Sequence, residues 1–125
     1  MTKTLRRRTA MGAVLATPFL ARHGWAQAAY PGGRTVRIVV PFAAGGTTDI
    51  LGRIVAQILT DQLGGTFVVD NKTGAGGNVG AELVAKSPPD GMTLLLGTVG
   101  TAVTNQYLYK TMPYDSVKSF APVAL

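Results

Sequence analysis

The sequence predicts an α/β domain in which short parallel strands alternate with helices. Apolar runs of strand length alternate with segments of helical periodicity, an order typical of a parallel sheet with right-handed crossovers. The first two runs each lead into a glycine-rich loop. The 125 residues are 46% hydrophobic and include no cysteine, so the fold must rest on an apolar core rather than on disulfides. From the alternation of apolar runs with helical segments we expect a βαβαβ order.

The first strand and the first helix carry the clearest patterns. Val36–Val40 (VRIVV) is rich in β-branched residues, which predicts a strand buried on both faces. A helix is expected from about Asp49 to Leu63, because two apolar series with a four-residue repeat begin at Ile50 and Leu51 and form a broad stripe. We expect this stripe to face the core.

The ends of this helix carry their own signals. Thr47 or Thr48 can cap the first turn, and Asp49 suits the positive end of the helix dipole. Gly64 can end the helix in the left-handed conformation.

The later elements continue the alternation. We expect a strand at Thr66–Asp70, a helix at about Val79–Lys86, a strand at Thr93–Gly97, a helix through Asn105–Tyr109, a short helix near Ser116–Ser119 and the start of a fourth strand at Pro122–Leu125. A domain that ends by opening a strand is incomplete. Residues 29–125 are therefore expected to be the N-terminal part of a larger domain.

The positive charge is concentrated in the first 28 residues. The net charge of the whole chain is +6, but residues 29–125 hold seven basic and six acidic residues, a net charge of +1. Such a balance offers no basic face for nucleic acid. Arg6–Arg8 followed by eleven apolar residues and by Ala26-Gln27-Ala28 predicts a signal peptide cleaved after Ala28, exported by the Sec or the Tat route. Eleven residues are too few to span a bilayer.

The predicted mature chain lacks histidine as well as cysteine, because His23 lies in the signal peptide. It therefore lacks the commonest general base, the thiolate nucleophile and the usual transition-metal ligands. No G-x-S-x-G motif is present either. We predict no catalytic residues, no metal site and no cofactor.

Two glycine-rich loops follow the first two strands, at the edge of the sheet where α/β proteins bind ligands. They are Pro41–Asp49 (PFAAGGTTD) and Thr73–Asn78 (TGAGGN). Glycine lets the backbone approach a ligand, and a helix N-terminus adds unpaired N–H donors and a partial positive charge. Each loop alone is also compatible with a simple chain reversal. The two together predict an anion-binding pincer.

Nucleotide sites do not fit the spacing of these glycines. Gly74, Gly76 and Gly80 give G-x-G-x-x-x-G, which differs from the dinucleotide pattern, and no G-x-x-x-x-G-K-[ST] loop is present.

These segments resemble a known family. Tyr30-Pro31, VRIVVPFAAGGTTDILGRIVAQIL, FVVDNKTGAGGNVGAELVAKSPPDGMTLLLGT and LYKTMPYDSVKSFAPV are similar, in this order, to the Bug/TctC family of periplasmic receptors of tripartite tricarboxylate transporters. The resemblance covers Tyr30 to Leu125. It implies a type II periplasmic binding protein (Venus-flytrap) fold, of which this chain holds the N-terminal portion of the first lobe.

The resemblance also implies a ligand and its contacts. Family members hold a small carboxylate between the two glycine-rich loops through backbone N–H groups, hydroxyls and water. By this resemblance the ligand-binding residues are Phe42, Ala43, Ala44, Gly45, Gly46, Thr47, Thr48, Asp49, Thr73, Gly74, Ala75, Gly76, Gly77, Asn78, Thr98 and Thr101. The expected partners are an organic acid and membrane transporter subunits, and the expected form is a periplasmic monomer.

Other functions remain open on the sequence alone. An exported α/β enzyme acting on a carboxylate or phosphate ester would turn over its ligand, an orphan receptor would feed a sensing system, and an adhesive surface protein would bind no small molecule. The sequence does not identify the acid.

Overall fold

The computed structural model describes residues 29–124, which form an α/β fold built on a three-stranded parallel sheet. The strands are β1 (Thr35–Val40), β2 (Thr66–Asn71) and β3 (Thr93–Leu95), in the order β2-β1-β3. Ile38 of β1 is paired with Val69 on one side and with Leu94 on the other. The predicted α/β class and parallel order are confirmed.

The helices follow the strands as expected. They are α1 (Thr47–Leu63), α2 (Asn78–Ala85) and α3 (Asn105–Leu108). A single 3-10 turn at Ala75–Gly77 leads into α2, and a wider π-helical turn at Gly100–Thr104 leads into α3.

The core lies on both faces of β1. Val36, Val39 and Val40 are fully buried and Ile38 is 2% exposed, as the β-branched run predicted. Val36 and Ile38 cluster with Ala56 of α1 and Phe67 of β2.

The packed face of α1 differs from the predicted one. Its buried residues are Asp49, Gly52 and Ala56, whereas Ile50 and Ile54 of the predicted stripe are 53% and 51% exposed. The reason is the close approach of the helix to the sheet: a Cβ on Gly52 would lie 2.9 Å from Val40 Cγ2. Small side chains allow this approach, so most of the apolar stripe is turned away from the sheet, although Leu59 at its end packs against the core cluster.

The ends of α1 confirm one prediction and correct another. Gly64 adopts φ 66° and its N–H donates to Thr60 O, as expected for a left-handed C-cap. The N-cap, however, is Gly46, with no side-chain cap. The helix begins at Thr47, one residue earlier than a Thr47 cap requires and two earlier than a Thr48 cap requires, so both threonines lie within its first turn.

Two short elements near the C-terminal end were predicted wrongly. Residues 116–119 form a turn rather than a helix, because the Asp115 carboxylate accepts from the N–H groups of Val117 and Lys118 and closes the segment at one turn. Residues 122–124 form no strand, since no described strand pairs with them.

The strand order places a topological switch point at the carboxyl end of β1. From β1 the chain crosses to β2 on one side, and later to β3 on the other, so the switch point lies between β1 and β3. Within residues 29–124, no helix combines the length and hydrophobicity needed to cross a membrane. The predicted signal peptide, residues 1–28, lies outside the described residues and stays a prediction.

Candidate functional site

Three segments meet at the carboxyl end of β1. They are the first loop (Pro41–Gly46), the second loop (Thr73–Gly77) and the turn that leaves β3. A Cβ built on Gly77 would lie 2.7 Å from Thr101 Cγ2, 3.3 Å from Pro41 Cβ and 3.5 Å from Phe42 Cζ. Both glycine-rich loops and Thr101 of the β3 exit are therefore brought together.

The first loop is built around the side chain of Asp49. This residue is 2% exposed, and its Oδ2 accepts from the Gly45 N–H at 2.8 Å and from Arg53 Nε at 3.0 Å. Its Oδ1 accepts from Asn71 Nδ2 at 3.0 Å, and the same amide nitrogen donates to Phe42 O at 3.0 Å. The carboxylate thus holds the loop from inside, with both oxygens engaged.

These donors lower the pKa of Asp49. The hydrogen bond from Arg53 has the largest effect, followed by that from the Gly45 N–H, and together with Asn71 they bring the pKa to about 2 against the opposing effect of burial. Asp49 is therefore ionised at neutral pH, beside the guanidinium of Arg53.

The first turn of α1 carries unused donors. Gly46 provides no side-chain cap, and among residues 29–124 no protein acceptor is found for the backbone N–H groups of Thr47, Thr48 and Asp49. Uncapped first-turn amides, together with the positive end of the helix dipole, attract an anion.

The second loop has an unusual backbone. Gly74, Ala75, Gly76 and Gly77 have φ values of 136°, 47°, 63° and 94°, four consecutive positive values that only glycine adopts without strain. The turn is closed by the Gly77 N–H, which donates to Gly74 O at 2.9 Å. The amides of Ala75 and Gly76 find no acceptor within the described part of the chain.

In the turn that leaves β3, the Thr101 hydroxyl makes its hydrogen bonds within the turn itself. Thr101 is 2% exposed, and its Oγ1 accepts from the Thr98 N–H at 2.9 Å and donates to Thr98 O at 3.1 Å. The Thr101 hydroxyl therefore supports its own turn, and only Thr98 of this pair is partly exposed.

The predicted site residues divide into two groups by exposure. The outer group is exposed or half-buried and comprises Phe42, Ala43, Ala44, Gly45, Gly46, Thr47, Thr48, Thr73, Gly74, Ala75, Gly76 and Thr98. The inner group is buried and comprises Asp49, Gly77, Asn78 and Thr101. Of these, Asp49 bonds the first loop and Thr101 packs against Gly77, whereas the Asn78 side chain bonds residues behind the second loop.

Sequence reasoning missed the polar side chains behind the loops. Asn71 ties Asp49 to Phe42, and Asn105 Nδ2 donates to Gly76 O at 3.0 Å and contacts Asn78 Oδ1 at 2.6 Å. Tyr114 donates to Thr101 O at 2.7 Å. One signal was available: Asn71 directly follows the predicted strand Thr66–Asp70, the position from which it reaches the first loop.

A family model matches most of the described chain. Residues 51–125 match the tripartite tricarboxylate transporter family receptor, TctC. Protein BugT of Bordetella pertussis is 39% identical over 97 residues, which are 77% of this chain and 29% of BugT.

Solved structures agree with the family match. MatC from Rhodopseudomonas palustris with bound malate is 42% identical, with a TM-score of 0.70 over 73% of this chain and 31% of that one. An R. palustris protein with adipate is 48% identical, with a TM-score of 0.67 over 70% of this chain and 29% of that one.

The matched relatives are much longer than this chain, which spans about a third of their length or less. Over that span the identity, the parallel β2-β1-β3 sheet and the match to the family model all agree. The chain belongs to the Bug/TctC family of tripartite tricarboxylate transporter receptors.

Proposed function

We propose that this protein is an extracytoplasmic solute receptor that binds a small organic carboxylate. The observation that carries the proposal is the uncapped first turn of α1, which opens at the sheet's switch point beside the second glycine-rich loop. Unpaired N–H groups on two adjoining loops make a site for an anion that is bound by the backbone.

The two groups of site residues have different duties in this proposal. The outer group provides the contacts to the carboxylate, through the amides of Thr47, Thr48, Ala75 and Gly76 and the hydroxyls beside them. The inner group holds those donors in place. Asp49 holds the donors in place and does not contact the ligand, because both its oxygens are engaged and a second carboxylate directly beside it would be repelled.

Carboxylate as the ligand class has two supports. Adipate and malate are the ligands of the two similar R. palustris proteins, and both are small dicarboxylates. Each charge-assisted hydrogen bond from a backbone N–H adds roughly 1.5–3 kcal/mol. A few such bonds provide the roughly −8 kcal/mol of a micromolar complex after the ordering costs are subtracted.

The wider context of the receptor is part of the same proposal. Residues 1–28 direct export by the Sec or Tat route, and residues 29–125 form the N-terminal part of the first lobe of a two-lobed domain. The second lobe, in a longer chain, contacts the distal end of the acid and sets which acid is bound. The protein is a monomer that delivers its ligand to transporter subunits in the membrane.

An exported enzyme is the second candidate, and we place it below the receptor. The family is one of receptors, and residues 29–124 include no histidine or cysteine that could serve as base or nucleophile. A receptor returns its ligand unchanged, whereas an enzyme converts it.

Thermal shift with small carboxylates tests the proposal. The protein is expressed from Ala29 through the end of its natural coding sequence and melted with malate, adipate, related acids and the matching amides. A ligand at a hundred times its Kd adds about 2.7 kcal/mol to the folded state. That corresponds to a rise in Tm of roughly 5–10 °C for a domain of about 150–250 residues.

Two outcomes would decide between the candidates. A rise with an acid but not with its amide, and an acid recovered unchanged by mass spectrometry, is the result we expect. No rise with any acid, from protein that melts cooperatively and releases no small acid on denaturation, would overturn the receptor. Conversion of the acid would establish the enzyme.

A further inference from the structure

A buried cluster of polar side chains lies directly behind the second loop. It consists of Asn78, Thr101, Asn105 and Tyr114, which are 4%, 2%, 5% and 8% exposed. We call it the Asn105 cluster. No buried side-chain nitrogen or oxygen among residues 29–124 lacks a hydrogen-bond partner, so the cluster is fully satisfied.

Asn105 is the member of the cluster that reaches the loop. Its Nδ2 donates to Gly76 O at 3.0 Å and contacts Asn78 Oδ1 at 2.6 Å, so one amide group joins the loop to the first residue of α2. The Tyr114 hydroxyl, whose proton is directed to Thr101 O at 2.7 Å, also lies 3.1 Å from Asn78 Oδ1, but it makes no bond to the loop.

The loop needs an external hold because its backbone is strained. Ala75 has φ 47°, and Gly74, Gly76 and Gly77 on either side of it are also in the positive-φ region. Such a run persists only when the surrounding structure fixes it, since the left-handed region is unfavourable for a residue with a Cβ. Of the side chains in the cluster, only that of Asn105 bonds a carbonyl of this run.

The burial of Asn105 makes this hold effective. Gly76 itself is exposed, but the Asn105 side chain is only 5% exposed, so its amide N–H would lose its acceptor in a place shielded from water if this part-buried bond were broken. Release of Gly76 O would therefore be unfavourable, and the peptide between Gly76 and Gly77 is kept in one orientation. The Tyr109 hydroxyl lies 2.9 Å from the position of a Gly76 Cβ and limits movement on the same side.

We propose that Asn105 is a positioning residue that sets the second loop in its ligand-binding conformation before the ligand arrives. The inference rests on the proposed function, because it is the carboxylate site that the loop serves. A loop already ordered in the free protein pays no ordering cost when the acid binds, so the loss of Asn105 weakens binding even where the fold survives.

Asn105→Leu and Tyr114→Phe form a matched pair for the test, made in the full-length protein. Each removes a hydrogen-bonding group from the same buried cluster, but only the first frees the loop carbonyl. Asn105→Ala removes the same donor with a smaller side chain, and it replaces Asn105→Leu if that variant does not fold.

Hydrogen exchange of the ligand-free protein is the first measurement. The N–H groups of Gly77 and Asn78 donate to Gly74 O and Ala75 O, so their exchange rates report directly on the opening of the loop. We expect the Asn105 variant to speed their exchange at least tenfold relative to Tyr114→Phe. Equal exchange in the two variants would overturn the positioning role, and this result needs no ligand.

Isothermal titration with malate and with adipate is the second measurement. We expect the Asn105 variant to raise the Kd about tenfold, the scale of one lost hydrogen bond, while Tyr114→Phe stays within about twofold of wild type. If the wild-type protein binds neither acid, the choice of ligand in the proposed function fails, while the exchange result still decides the role of Asn105. Unchanged affinity in a folded Asn105 variant would overturn the proposal.

Discussion

At the scale of single residues, the glycines of the two loops are not equivalent. Gly46 has an ordinary φ of −79°, and a Cβ there would meet only Ala43 O at 3.5 Å. Gly76 has φ 63°, and a Cβ there would lie 2.9 Å from the Tyr109 hydroxyl. A methyl group at Gly46 therefore changes the surface of the site, whereas one at Gly76 changes the fold of the loop.

This difference predicts distinct effects of two alanine substitutions. We expect Gly46→Ala to lower the free energy of unfolding by about 0.5–1 kcal/mol, because alanine is a poorer N-cap than glycine, and to weaken carboxylate binding, because the methyl lies beside the donors of α1. Gly76→Ala should cost about 1–2 kcal/mol through its left-handed φ alone. Urea denaturation and titration with malate or adipate check both. Unimpaired binding in folded Gly46→Ala would show that the first loop does not contact the ligand.

The carboxylate of Asp49 predicts a dependence of stability on pH. Its pKa is lowered to about 2 in the folded protein, from about 3.9 in an unfolded chain. The stabilisation is therefore fully present above about pH 4 and is lost as the pH falls from there towards 2. We expect Asp49→Asn to flatten the decline in stability over this range, measured by urea denaturation at successive pH values. An equally steep decline in the variant would mean that Asp49 is not held by Arg53 and Gly45 as described.

The residues behind the loops show what residue patterns can and cannot predict. The glycine-rich loops are visible because glycine, helix start and strand end coincide in the sequence. Asn105 is not visible, since it lies 29 positions from the carbonyl it binds and only the tertiary fold brings them together. Asp49 was placed correctly in the first turn, but its bonds to Gly45 and Asn71 also depend on the folded loop.

At the scale of elements, periodicity predicted α1 well but not its orientation. Two apolar series run along the helix, so hydrophobicity alone favours the face of Ile50 and Ile54. The observed face is that of Gly52 and Ala56, because small residues let the helix axis approach the strands. Close packing was decisive here, and it depends on the shape of the sheet surface, which no pattern of one segment contains.

The close contact at Gly52 predicts that Gly52→Ala destabilises the fold. Alanine is favoured over glycine in a helix by about 1 kcal/mol. Here, however, the new Cβ would lie 2.9 Å from Val40 Cγ2 and 3.3 Å from Leu96 Cδ2, and overpacking of this kind costs about 1–3 kcal/mol. We expect a net loss of stability in urea denaturation. Increased stability would show that α1 can move away from the sheet at no cost.

At the scale of the whole molecule, the exposed side of α1 points to contacts beyond the described residues. Ile50, Leu51, Ile54, Val55 and Ile58 are 37–53% exposed, and lie side by side on one helix. Single exposed apolar residues are ordinary on a protein surface, but a continuous apolar patch is unusual on a soluble monomer. Under the proposed two-lobed architecture, this face is covered by the remainder of a longer chain.

The exposed face predicts a difference between the segment and the full-length protein. Residues 29–125 expressed alone should bind a hydrophobic dye and self-associate in sedimentation, whereas the protein expressed to its natural C-terminus should do neither. The double substitution Ile54→Lys and Ile58→Glu should make the isolated segment monodisperse, because it divides the patch with opposite charges on adjacent turns. In the full-length protein the same pair should lower the Tm, since it would bury charge beneath the covering chain. A double variant that leaves the full-length Tm unchanged would mean that the face is solvent-exposed in the whole receptor, and the first lobe would then have to be completed elsewhere on the sheet.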